Sequence, residues 1–287
     1  LPVIWSFPGT IKDYPGFSPS VDAEAIRKAI RGIGTDEDSL INILTERSNA
    51  QRQLIVKEYL AAYEKELKDD LKGDLSGHFK HLMVGLVTPP AVFDAKQLKK
   101  SMKGTGTDED ALIEILTTRT SRQMKEVSQA YYTISCLDNV STNLSFQRDE
   151  SLKVDEHLAK KDAQILYNAG ENKWGTDEDK FTEILCLRSF PQLKLSMDSQ
   201  SVLFGLFCFC KFRIPAFLAE RLHCSLKGAG TDEFTLNRIM ISRSEIDLLD
   251  IRYEFKKHYG YSLYSAIKSD TSGDYENTLL KICGGDD

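Results

Sequence analysis

The chain has 287 residues, 41% hydrophobic and 28% charged, enough apolar material for a packed core and too much for wholesale disorder. Lys plus Arg number 37 against 43 for Asp plus Glu, so the net charge of −6 offers no bulk attraction for nucleic acid or anionic lipid. Binding to an anionic surface would need a basic patch or a bridging cation.

Residues 1–17 read as a tail. Leu1-Pro2-Val3-Ile4-Trp5 has neither a basic n-region nor a long apolar stretch, so no secretory signal is expected there. The strongest apolar run, Val202–Phe209, is too short to cross about 30 Å of hydrocarbon. The cysteines (Cys136, Cys186, Cys208, Cys210, Cys224, Cys283) form no C-x-x-C pair, which predicts free thiols in a reducing compartment. His78, His81, His157, His223 and His258 follow no metal spacing. No Ser/His/Asp, Cys/His or paired-carboxylate constellation is apparent, so no enzymatic activity is expected.

The first element after the tail is an amphipathic stretch, Val21–Ile30, with Ile26, Ala29 and Ile30 on one face. It runs into the loop Arg31–Glu37 (RGIGTDE). Thr35 is placed to cap a following helix, with Asp36 and Glu37 near its positive end. Leu40, Ile43 and Leu44 share the apolar face of that helix. Ser48 and Gln51 have capping-box spacing, so another helix starts there. Two more stretches, Lys68–Leu75 and Ser76–Val87, end before Pro89-Pro90.

The loop then recurs as KGTGTDE (Lys103–Glu109), NKWGTDE (Asn172–Glu178) and KGAGTDE (Lys227–Glu233). Counted from Gly34, Gly106, Gly175 and Gly230, the next residue is Thr35, Thr107, Thr176 or Thr231, each an expected cap. Position +9 is Ile43, Ile115, Ile184 or Ile239, and +13 is Arg47, Arg119, Arg188 or Arg243. Position +14 is Ser48, Thr120, Ser189 or Ser244, and +17 is Gln51, Gln123, Gln192 or Asp247, a capping-box pattern in every copy. The arginines are expected to be structural, pairing with acids or helix ends between repeats. This register predicts an all-α array of four helical repeats, five helices each where complete. The repeats read as 18–90, 91–148, 149–213 and 214–287.

Repeats 2 and 3 are truncated. The pattern fails over Thr133–Phe146 and again over Ser196–Ile214. These breaks read as segments lost or replaced, as by altered splicing or a faulty gene assembly, rather than as designed linkers. Core helices there would lack partners, at a cost of several kcal/mol.

The complete repeats share a second motif, Asp74-Leu-Ser-Gly77 and Asp270-Thr-Ser-Gly273. Asp74 falls 40 residues after Gly34, and Asp270 falls 40 residues after Gly230. Calcium takes about six to eight hard oxygens. A glycine turn can aim successive carbonyls at one point, because glycine tolerates positive φ. A carboxylate binding through both oxygens would complete most of the shell, Asp74 for the loop at Gly32 and Gly34, Asp270 for Gly228 and Gly230. Water or a lipid phosphate would fill the remaining positions. With one carboxylate per site, affinity is expected in the weak range of about 10⁻⁵ to 10⁻³ M. Calcium and membrane would each strengthen the other by linkage. No D-x-D-x-D-G loop supports an EF-hand, and no strand or G-K-[ST] supports a nucleotide loop.

With its four G-x-G-T-D-E-type loops, the arginine at +13 and the acid at +40, the chain resembles the annexin family. The resemblance spans roughly five sixths of the sequence. It implies a slightly curved disc of four five-helix units with calcium loops on its convex face. It also implies reversible, calcium-dependent binding to anionic phospholipid by a cytoplasmic protein, with phospholipase A2 inhibition, anticoagulant behaviour and membrane trafficking as associated roles. By the same resemblance, Ca2+ is bound in repeat 1 by the carbonyls of Ile30, Gly32 and Gly34 with Asp74, and in repeat 4 by those of Leu226, Gly228 and Gly230 with Asp270. Met102, Gly104 and Gly106 match in repeat 2, and Gly170, Lys173 and Gly175 match a variant loop in repeat 3, both without an acidic cap. Trp174, at the tip of that variant loop, is positioned to enter the lipid interface. An alternative role is a scaffold that inhibits enzymes by direct contact, with protein partners for the tail.

Overall fold

The computed structural model describes residues 9–31, 34–102, 108–137, 151, 153–169, 180, 184, 187–189, 191–192, 195–196, 214–228 and 230–286. They form fourteen helices and no strand. The chain divides into two compact units, Leu1–Pro90 with Pro215–Asp287, and Ala91–Ile214.

In the first unit the first copy of the loop motif sits in a complete set of five helices: α1 (Pro19–Arg31), α2 (Glu37–Glu46), α3 (Asn49–Tyr63), α4 (Leu67–Asp74) and α5 (Gly77–Leu86). The second unit holds α6 (Pro90–Ser101), α7 (Glu109–Thr118), α8 (Ser121–Leu137) and α9 (Glu156–Ala169). The fourth copy returns to the first unit with five helices again: α10 (Ile214–Leu226), α11 (Glu233–Arg243), α12 (Leu248–Tyr259), α13 (Leu263–Asp270) and α14 (Gly273–Cys283).

The helices α2, α7 and α11 start one residue later than the threonine cap predicts. Asp36, Asp108 and Asp232 are the caps, and their carboxylates accept from the N–H groups of Ser39 (3.1 Å), Ala111 (3.0 Å) and Thr235 (3.1 Å). Aspartate is the stronger N-cap, and its charge meets the positive end of the helix dipole. Burial pushes the Asp232 carboxyl up, but hydrogen bonds from Thr235 win and hold it below the usual carboxylate range. The backbone N–H of each cap also closes the loop, bonding to the carbonyl of Ala29 (3.0 Å), Ser101 (2.8 Å) or Ser225 (2.8 Å). The threonine is thereby left outside the helix. The corresponding Thr107 and Thr176 lie outside the described residues.

The apolar stripe after each loop is buried as its period requires. Leu40, Leu44, Leu112, Ile115, Leu116, Ile184, Leu236, Ile239 and Met240 are all buried, and Ile43 is half-buried. In the second unit these positions join Ala95, Leu98, Met102, Met124, Val127 and Leu166 in one cluster. That core is assembled from α6, α7, α8 and α9 together with Ile184.

The arginines at +13 pair inside their own repeats rather than between repeats. Each binds both oxygens of an aspartate on the helix before its loop: Arg47 with Asp22 (2.6 and 3.0 Å), Arg119 with Asp94 (2.6 and 2.9 Å) and Arg188 with Asp162 (2.6 and 3.0 Å). In the fourth copy the corresponding residue is Leu218, so Arg243 turns to Asp247 (2.7 and 2.5 Å). This substitution also explains why the capping box fails there. Ser48 with Gln51 makes both box bonds, and Thr120 with Gln123 makes the same pair. Ser244 instead stays in the helical region, and Asp247 spends its carboxylate on the arginine, so α12 begins only at Leu248.

Within the first unit, the fourth copy packs on the first. Helix α14 lies against α2 and α5, and α11 lies against α5. Arg52, fully buried, donates to the carbonyls of Leu86 (2.9 Å) and Leu44 (3.1 Å) and reaches Glu245 of the fourth copy at 3.1 Å. Glu245 also accepts from the Asn49 N–H at 2.6 Å. Residues 9–14 run across the same junction. Thr10 donates to the Ile282 carbonyl (2.6 Å), Ile11 N–H to the Ser244 carbonyl (3.0 Å), and Tyr14 exchanges hydrogen bonds with Gln51.

Candidate metal centre

The fourth copy shows the site most fully. Helix α10 ends at Leu226, and the chain then bends through Gly228 (φ +143°) and Gly230 (φ +122°). L side chains rarely adopt these angles, so glycine is required if the carbonyls are to turn. Asp270, from the far end of the repeat, is the last residue of α13. Its Oδ2 accepts a hydrogen bond from the Thr231 hydroxyl at 2.6 Å. The structure therefore brings the distant aspartate to the residue that follows Gly230.

The first copy repeats the local geometry. Asp74 ends α4 as Asp270 ends α13, and both helices have eight residues. Leu75 and Thr271 are extended, and Gly77 (φ +58°) and Gly273 (φ +64°) turn the chain into the next helix. The D-x-S-G motif thus encodes a helix end, a bend and a helix start. Ile30 lies in the last turn of α1 and Gly34 has φ +85°, while Gly32 lies outside the described residues. Asp74 is exposed, and Asp270 is half-buried.

Both aspartates line one open cavity of about 400 Å³ between the two copies. Glu37, Glu233 and Asp274 line it too, with no lysine or arginine, and a concentration of one charge sign of this kind attracts cations. His78 Nε2 lies 3.3 Å from Glu233 Oε1 and is the one basic side chain there. Among the described residues, no three His, Cys, Asp or Glu side chains gather as a metal-binding group. An ion at either loop would therefore draw much of its shell from backbone oxygen. Such a donor set, carbonyls with one carboxylate, fits a hard cation such as calcium.

The other sequence-derived candidates are placed less fully. Met102 is buried just after α6, while Gly104, Gly106, Gly170, Lys173, Gly175 and Trp174 lie outside the described residues. Thr231 is the site residue that the sequence reading assigned elsewhere. Its signal was present in the adjacent aspartate, a better cap that releases the threonine hydroxyl for Asp270.

No helix among the described residues is long and apolar enough to cross a membrane. The chain is 73% identical to mouse annexin A3 in an alignment of 320 positions covering 99% of each protein. That alignment is 33 positions longer than the 287 residues here, so the relative carries segments that this chain lacks. The solved structure of annexin III matches with a TM-score of 0.75 and 72% identity, covering 99% of each chain. A calcium-bound annexin (Sm)1 structure matches with a TM-score of 0.73 and 32% identity, covering 98% of this chain and 94% of that one. The annexin family profile matches residues 21–86, 93–136, 161–198 and 217–282, with the second and third segments shorter than the outer two. With four profile matches and only helices among the described elements, two of the matches cut short where the repeat pattern breaks, this protein belongs to the annexin family.

Proposed function

We propose that this protein binds anionic phospholipid membranes through calcium held at the Gly–Asp sites of its first and fourth repeats. Calcium-dependent phospholipid binding characterises the family. The observation that carries the reading to residues is the Thr231–Asp270 contact of 2.6 Å, which sets a carboxylate beside a glycine bend 40 residues earlier. Leu226, Gly228 and Gly230 would offer carbonyl oxygen, and Asp270 both carboxylate oxygens. Ile30, Gly32, Gly34 and Asp74 would do the same in the first repeat. Calcium, when bound, supplies positive charge and open positions for lipid phosphate oxygens.

A bridging cation lets an acidic chain sit on an acidic leaflet. The loops at Met102, Gly104 and Gly106 and at Gly170, Lys173 and Gly175 would be incomplete sites, for want of a capping acid. The function is binding without catalysis, by a protein reversibly membrane-associated from the cytoplasm. Covering anionic lipid would withhold substrate from lipid-hydrolysing enzymes, which is how we read phospholipase A2 inhibition. Cosedimentation with phosphatidylserine-containing vesicles tests the reading. At about 10⁻³ M calcium the protein sediments, and with chelator or neutral vesicles it stays in solution. Equal sedimentation with and without calcium would overturn it.

A further inference from the structure

We propose that Thr231 is a positioning residue that holds the Asp270 carboxylate ready for calcium, so that the fourth repeat's site fills at lower calcium than the first's. The inference rests on the calcium reading above and deepens it.

Because Asp232 caps α11 and closes the loop onto Ser225, the Thr231 hydroxyl has no part in the helix start. It lies 2.6 Å from Asp270 Oδ2 and 3.2 Å from the Asp270 carbonyl oxygen. A carboxylate offers about four lone-pair sites, so one hydrogen bond leaves both oxygens able to face an ion. Donors behind a metal ligand fix its orientation, and their loss costs about 10- to 100-fold in metal affinity.

The first repeat is an internal control. Thr35 and Asp74 are the same residue types, Thr35 following Gly34 as Thr231 follows Gly230, and Asp74 ending α4 as Asp270 ends α13. Among the described residues no hydrogen bond joins Thr35 to Asp74, and Asp74 stays exposed where Asp270 is half-buried. Ion binding at the first repeat must therefore engage a carboxylate that no threonine holds, whereas that of the fourth is already held. The two sites differ in preorganisation rather than in composition.

The test is calorimetric calcium titration of the full chain, with one site removed at a time. In a Asp74→Asn background the remaining site reports the fourth repeat. There Thr231→Val is expected to weaken calcium binding about tenfold, and Thr231→Ser to restore most of it. In a Asp270→Asn background, Thr35→Val should leave the remaining affinity unchanged. A purely structural role would instead lower the calcium-free melting temperature of Thr231→Val, which the proposal expects to hold steady. If the valine variant fails to fold, Thr231→Ala repeats the test. Unchanged or tighter binding in Thr231→Val, or an equal loss in Thr35→Val, overturns the proposal while leaving calcium binding intact. A wild-type chain that takes up no calcium overturns both this proposal and the reading beneath it.

Discussion

Asp74→Asn combined with Asp270→Asn is expected to reduce calcium-dependent vesicle binding to the level seen with chelator. Each substitution keeps the size of the side chain and an oxygen able to accept the threonine hydroxyl. What it removes is the one formal negative charge that either set of proposed donors offers. Sites with a single carboxylate already belong to the weak calcium class, and neutral oxygens alone push the affinity beyond about 10⁻³ M. The single variants should differ, with Asp270→Asn raising the calcium needed for half-maximal sedimentation more than Asp74→Asn does. Full binding by the double variant would detach the function from these loops and move it elsewhere on the chain.

The second large effect concerns the arginines that follow each loop. Asp247→Gln gives the fourth repeat the residue that the other three carry at this position, yet it should destabilise the chain by about 3–5 kcal/mol, because it strips the carboxylate from a buried guanidinium. Arg243 is 4% exposed, and Leu218, where the other repeats hold the pairing aspartate, is fully buried. Leu218→Asp alone should also destabilise, by burying a second carboxylate near an arginine that is already paired. Together, Leu218→Asp with Asp247→Gln rebuilds the arrangement of Arg47 with Asp22, and the pair should cost less than the sum of the two single changes. Thermal melts in calcium-free buffer measure all three. For a chain of this size, each kcal/mol corresponds to roughly 2–4 °C. Strict additivity would show that the pairing partner is not the reason for the exchange.

Much of this architecture was legible from local sequence. The glycine register located the loops, and the apolar stripe at +6, +9 and +10 located the buried face. The D-x-S-G tails located the helix end that carries each aspartate. Where the reading failed, two local signals competed for one role. Thr231 and Asp232 are both good caps, and only the placement of the helix start decides between them. Ser244 and Asp247 have capping-box spacing, but an arginine without its usual partner took the aspartate. That loss is visible only by comparing Leu218 with Asp22, Asp94 and Asp162. The packing of the fourth repeat on the first had no local signature at all. It depends on surface fit between α2, α5, α11 and α14, and on Arg52 reaching Glu245 across 193 residues of sequence. The contact of Thr10 with Ile282, 272 residues away, is hidden for the same reason.

A crystal structure of the full chain grown with calcium would show whether the Gly–Asp loops hold the ion. An ion is expected at the fourth repeat, within about 2.3–2.6 Å of the carbonyl oxygens of Leu226, Gly228 and Gly230 and of both Asp270 carboxylate oxygens. An ion bound elsewhere with that loop empty, or an Asp270 side chain turned away from a filled loop, would contradict it.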